Sequence, residues 1–268
     1  MNAMTDLGFS REEFEQTLQR IERLLGRVEQ LSNSIVQRCN RAAQLLPAFA
    51  LGGLPESLDR FMAVVAAFFA VMREQMLSPG WPPALYGVGD DWTNRVGAVV
   101  SSLSGMAGID QTTVNEKWEG AGATAYAEAL SAQGKALSAI KAATDEIDDA
   151  LFKLCAALVA FWVMIAVSIA TYVVELVAAA AATSTGVGAP AGAAGAGIST
   201  AKMLGIIGTA ASGFVVLASA IYTQYKDLNQ RLHSSEGFPG GSWPRIRGAE
   251  MSDGRIGDRD DTGWHVKR

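Results

Sequence analysis

The sequence predicts an all-α protein: an elongated helical bundle with a helix-turn-helix hairpin bent at a Trp-x-Gly triplet and a C-terminal hydrophobic helical hairpin. Three observations carry that expectation. Hydrophobic residues make up 49% of the 268 but aromatics only 8%, so the apolar character comes from Ala, Val, Leu and Ile, a helix-favouring mixture. Apolar side chains recur at alternating spacings of three and four in two long stretches. The second of these runs past Lys153 into 21 consecutive uncharged residues, 154–174, enough for one membrane-length helix.

The first element starts near residue 10, where Ser10 and Glu13 form a capping box that satisfies two backbone amides orphaned at a helix start. Phe14, Leu18, Ile21, Leu25, Val28, Ser32, Ile35 and Cys39 then trace a heptad seam broken once by serine. Pro47 and the Gly52-Gly53-Leu54-Pro55 cluster end this helix, because proline lacks the donor and glycine the steric restraint to continue it. The next helix centres on 61–72, an apolar run of 12 residues between Arg60 and Arg73 that is too short to span a bilayer and reads as buried core.

Ser78-Pro79-Gly80-Trp81-Pro82-Pro83 reads as a rigid extended linker, after which Asp90 or Asp91 caps a third helix running to about Gly105. Its apolar side is Trp92, Val96, Val99, Val100 and Leu103. Beyond Trp118-Glu119-Gly120 the second seam runs through Tyr126, Leu130, Gln133, Leu137, Ile140, Thr144, Ile147, Leu151 and Leu154, and two such heptad-bearing helices can pack against each other as an antiparallel pair. The chain thus divides into N-terminal helices and Pro-rich linker (1–90), a hairpin around Trp118 (91–153), a hydrophobic hairpin (154–222) and a polar tail (223–268). From His233 onward that tail is too poor in aliphatics to offset its ordering entropy, so a disordered or loosely docked segment is expected.

Of the 21 residues at 154–174, 12 are Leu, Ile, Val, Phe, Met or Trp, including Trp162 and Ile165, and such a helix spans about 30 Å. The partner segment, 203–222, has nine such residues in 20, and its Gly205, Gly208, Ser212 and Gly213 mark a face where backbones can approach closely. A glycine-rich loop at 186–197 joins the two. Residues 176–201 carry no charge, and Lys135, Lys141, Lys153, Lys226 and Arg231 flank the hairpin against Lys202 alone within it. Positive-inside counting therefore places both ends of the hairpin in the cytoplasm, whereas arrival from outside after export predicts the opposite topology. Glu175, Thr171 and Ser168 favour the competing expectation of a soluble helix pair buried in a bundle.

No catalytic centre is expected. The two histidines, His233 and His265, both fall in the polar tail, where a general base cannot be held in position. The cysteines and histidines lack metal-ligand spacing, and the glycine loop follows a helix pattern and has no Gly-Lys-Ser/Thr ending, so neither a metal nor a cofactor is expected. A net charge of −5 with acids and bases interleaved recommends no nucleic-acid partner. Cys39 and Cys155 read as buried free thiols, and residues 1–16 lack the basic start and apolar core of a cleavable signal peptide.

The stretch at 118–140, WEGAGATAYAEALSAQGKALSAI, resembles the WXG100 and related ESX, or type VII, secretion proteins of actinobacteria. Trp118 and Gly120 match the motif of that family, and Ala121, Ala125 and Tyr126 match its usual continuation. The likeness covers residues 92–154. It implies a WXG-type hairpin that bends at Trp118-x-Gly120, partnership with another helical protein or with itself, and export by a route independent of a signal peptide. The family's Tyr-x-x-x-Asp/Glu export signal has no counterpart after the hairpin, since Leu130 stands four residues beyond Tyr126; only Tyr86 and Asp90, ahead of the triplet, have the spacing.

Taken together, the expectation is a non-enzymatic protein that packs through Phe14, Leu18, Ile21, Leu25, Leu130, Leu137 and Ile140. It meets membrane lipid through 154–222, and the type VII machinery is its implied exporter. The alternative is an integral membrane scaffold or small oligomeric channel-like protein that is not itself secreted and associates through Gly208 and Ser212.

Overall fold

The computed structural model describes residues 10–47, 52–107, 118–119, 121–233, 237–245 and 265–266. The architecture is all-helical. Its elements are α1 (Arg11–Leu45), α2 (Leu54–Leu77), α3 (Pro82–Asp91), a π-helical stretch (Trp92–Gly97), α4 (Ala98–Met106), α5 (Ala121–Thr183) and α6 (Ala189–Leu232). The described non-helical pairing is a two-residue antiparallel ladder, Trp118–Glu119 against His265–Val266. The chain divides into two compact units, Met1–Pro83 with Leu154–Ala218 and Ala84–Lys153 with Ser219–Arg268.

In the first unit, the Ser10 side chain accepts from the Glu13 amide at 3.1 Å while the Ser10 amide donates to Glu13 Oε2, the reciprocal capping box that starts α1. The seam of α1 lies inward: Phe14, Ile21, Val28, Ser32, Ile35 and Cys39 are buried, and Leu18 and Leu25 pack against the same core. Ser32 Oγ has no hydrogen-bond partner among the described residues, so the one polar interruption of the seam is a cost rather than a contact.

Facing α1 in this core are the stripe Leu54, Leu58, Phe61, Phe68 and Met72 of α2 and residues from α5 and α6. α2 is therefore half buried rather than wholly so, with Met62 exposed on its other side. Within this unit the α1 seam packs on α2 and on the apolar hairpin.

Both cysteines are free and buried, as the sequence implies. Cys39 Sγ lies 3.9 Å from the Ala189 carbonyl oxygen and Cys155 Sγ lies 3.3 Å from that of Pro82. Burial pushes the Cys39 thiol up from its ordinary pKa, which leaves it a poor nucleophile.

The helix expected at Asp90 or Asp91, most of which lies in the second unit, starts earlier, at Pro82, because a proline pair fits a first helical turn whose amides have no partner anyway. Asp90 and Asp91 sit inside the helical run and hold Asn94 and Arg95 one turn on, at 2.8 and 2.9 Å. A Cβ added to Gly97 would lie 3.1 Å from Thr144 Cγ2, and one added to Gly89 would meet the Asp148 carboxylate. Position numbers rise on one helix as they fall on the other, so the stretch 82–106 runs antiparallel to the first part of α5. Leu130, Ala136, Leu137 and Thr144 are buried on α5, while Ile140 and Tyr126 are half-buried.

Residues 237–245 dock on this helix. Gln133 Nε2 donates to the Pro244 carbonyl at 3.1 Å, and Gly237 lies against Ala136 and Ala139. Part of the expected tail is thus ordered by contacts to the second seam, and α6 itself runs ten residues beyond 222.

Candidate functional site

The feature with chemical consequence is the apolar hairpin formed by the second half of α5 and the first half of α6. Three helical stretches, Leu54–Met106, Gly122–Thr183 and Ala189–Gln230, are long and apolar enough to cross a membrane. The hairpin contains the two most apolar of them.

The connection is shorter than the sequence suggests. Glycines at 186–197 pointed to a loop, yet α6 begins at Ala189 and only 184–188 form the turn. Alanines interleaved with the glycines and Pro190 in the first turn favour helix, and tight packing outweighs the cost of the glycines. Gly192 shows why one of them is required: an added Cβ would stand 2.5 Å from Thr183 Cγ2 and 2.8 Å from the Ala179 carbonyl oxygen. The two helices close on each other there because position 192 has no side chain. Gly192→Ala is expected to destabilise the fold by about 1–3 kcal/mol, the usual cost of forcing an extra methyl into a packed site. Urea unfolding followed by circular dichroism measures it, and an unchanged midpoint would contradict the close approach.

Two polar links brace the hairpin. Tyr172 Oη and Thr200 Oγ1 share a buried hydrogen bond of 2.6 Å, and Thr200 also donates to the Ala196 carbonyl. Lys202 Nζ meets Glu175 Oε1 at 2.8 Å. The charges that the sequence places singly on two separate helices are therefore one ion pair, at the turn-side edge of both 154–174 and 203–222. A paired charge at that level is far cheaper to bring to a membrane than an isolated one.

The inner face of α5 holds Trp162, Ile165, Ile169, Tyr172 and Leu176, all buried. Trp162 and Ile165 thus serve packing against α1 and α2. Trp162 Nε1 also donates to the Pro79 carbonyl at 2.7 Å. That bond fixes the Pro79–Pro82 turn, where Gly80 takes a φ of 73° and leaves no room for a Cβ beside Leu158. Trp81 of the same turn packs edge-on to Phe14 and under Arg11.

The outer face of the hairpin is apolar as well, and among the described residues nothing covers it. Val167 is 56% exposed, Val174 68%, Ile198 71%, Val215 62% and Val216 70%. A helix apolar on both sides, with one side covered and the other not, is a surface built for contact with something other than water. Gly205 and Gly208 also lie on exposed surface with nothing near their Cα hydrogens, and Ser212 bonds back to the Gly208 carbonyl at 2.8 Å. Within the described residues that small-residue face receives no helix.

Of the motif residues, Trp118 pairs in register with Val266, Tyr126 is half-buried in the first turns of α5, and Gly120 lies outside the described residues. Fourteen positions, 107–120, separate the end of α4 from the start of α5. Among the described residues no group of three or more His, Cys, Asp or Glu is placed to hold a metal ion. The signal for the Glu175–Lys202 pair was legible: one lone acid and one lone base in the otherwise uncharged stretch 154–225. No protein-family model, curated protein or solved structure matches this chain.

Proposed function

We propose that this chain is a non-enzymatic, WXG100-like protein associated with type VII secretion, which forms helical assemblies and contacts a cell membrane through residues 154–222. The observation that carries the membrane part is the uncovered apolar face of α5 and α6, on helices long enough to span a bilayer. The family part is supported by the Trp118-Glu119-Gly120 triplet directly before α5 and by the antiparallel course of 82–106 against that helix.

The test is fractionation of a tagged chain, in a host with a type VII apparatus, into cytosol, carbonate-washed membrane and medium. Wild type is expected in washed membranes and, only with the apparatus intact, in the medium. Trp118→Ala with Gly120→Ala is expected to reduce export and partner binding severalfold while helical content stays close to wild type. Export unaffected by the double substitution would remove the motif's role, and complete release by carbonate would remove the stable membrane contact.

A further inference from the structure

Between the two arms of the hairpin the outer surface is not flat. Phe161 and Met164 of α5 and Gly205, Gly213 and Phe214 of α6 line an open groove of about 680 Å³, and Lys202 stands at one end. Its lining is almost wholly apolar, floored by small residues and walled by Phe161, Met164, Ile206 and Phe214. From Lys202 to Phe214 the helix rises about 18 Å at 1.5 Å per residue, comparable with an extended long-chain acyl tail.

We propose that this groove holds one acyl chain of an anionic phospholipid, with the headgroup phosphate at Lys202. This deepens, and rests on, the reading that the hairpin meets a membrane. The position of Lys202 carries the argument. It lies at the edge of the apolar segment 203–222, the level at which a spanning helix meets headgroups, and a lysine there extends its ammonium toward the interface. Its ammonium has three donors and gives one to Glu175, and Ser199 also bonds to Glu175, so the carboxylate stays held while Lys202 turns a donor to phosphate. The groove then leads from that charge into the hydrocarbon, where small residues leave room for methylenes and the Thr209 hydroxyl is bonded back to the Gly205 carbonyl at 2.9 Å.

Open space at two glycines permits a clean test, because nothing lies within 4 Å of a Cβ added at Gly205 or Gly213, both in the groove, or at Gly208, outside it. Full-length protein is reconstituted in vesicles of phosphatidylcholine containing a minor share of phosphatidylglycerol and extracted in mild detergent. Retained lipid is counted by native mass spectrometry, and particle size is measured alongside.

Wild type is expected to retain phosphatidylglycerol over phosphatidylcholine by at most roughly fivefold, the scale of one lysine's attraction to an anionic lipid, reduced by the Glu175 carboxylate beside it. Lys202→Gln is expected to abolish that preference, and Gly205→Leu with Gly213→Leu to abolish retention of both lipids, while Gly208→Leu behaves as wild type. Equal retention of both lipids by wild type, or undiminished retention in the filled-groove variant, overturns the proposal while leaving membrane contact intact. Failure of wild type to enter vesicles at all overturns the membrane reading and this one with it. A dimer without bound lipid that filling the groove splits would assign the groove to a second copy and likewise overturn the proposal.

Discussion

Val167→Asp together with Val216→Asp should move the protein out of carbonate-washed membranes and into the soluble fraction without unfolding it. Both valines lie well inside the apolar segments and are more than half exposed, so neither change touches the packed core. In water each is expected to alter stability by no more than about 0.5 kcal/mol. In lipid the balance is different, since an aspartate near the middle of a spanning helix costs roughly 2.5–3.5 kcal/mol. Two of them shift the partition by about four orders of magnitude. Ile165→Asp, two positions from Val167 but fully buried, is the contrasting control: it should lose cooperative unfolding and enter aggregates. Retention of the double variant in washed membranes, with its fold intact, would show that the outer face of the hairpin is not what binds lipid.

Much of the fold was legible in the sequence because periodicity reports which side of a helix is covered. The α1 seam, its capping box and the long helix starting just after Gly120 follow from local chemistry that tertiary contacts do not override. What periodicity does not report is the partner. The spacing of the α1 seam says which side is covered, and not that α2 and the apolar hairpin are what cover it.

Glycine misled for a related reason. At 186–197 its low helix propensity predicts a loop, but propensity is worth about 1 kcal/mol per glycine, and helix-to-helix packing at Gly192 exceeds that. The Glu175–Lys202 pair, 27 positions apart, does not follow from counting Lys202 for topology and Glu175 for burial, because each then stands without the other. The groove had no sequence signal beyond its small residues. It exists because the lining of α5 and α6 alternates large and small side chains across the hairpin.

The covering of the hairpin by α1 leads to the other large expected effect. α1 carries Arg11, Glu15, Arg23, Arg27 and Arg41 among its side chains, while its seam lies on Phe161, Trp162, Ile165 and Ile169. A helix with that outer face cannot remain over 154–174 in hydrocarbon, since each charge facing lipid costs several kcal/mol. Covering in water and insertion in lipid therefore compete for the same inner face. Ile21→Asp with Ile35→Asp buries two unpaired carboxylates under α1, a penalty of several kcal/mol each that is comparable with the whole stability of a domain. The variant is expected to lose thermal cooperativity in water and to float with anionic vesicles more completely than wild type, not less, because its hairpin has lost the cover of α1. Hydrogen exchange on vesicle-bound wild type should show the same event without mutation, with α1 amides exposed and those of 154–174 protected. If α1 stays protected on vesicles, the hairpin meets the membrane by its outer face alone, with the bundle of α1 and α2 still closed over the inner one.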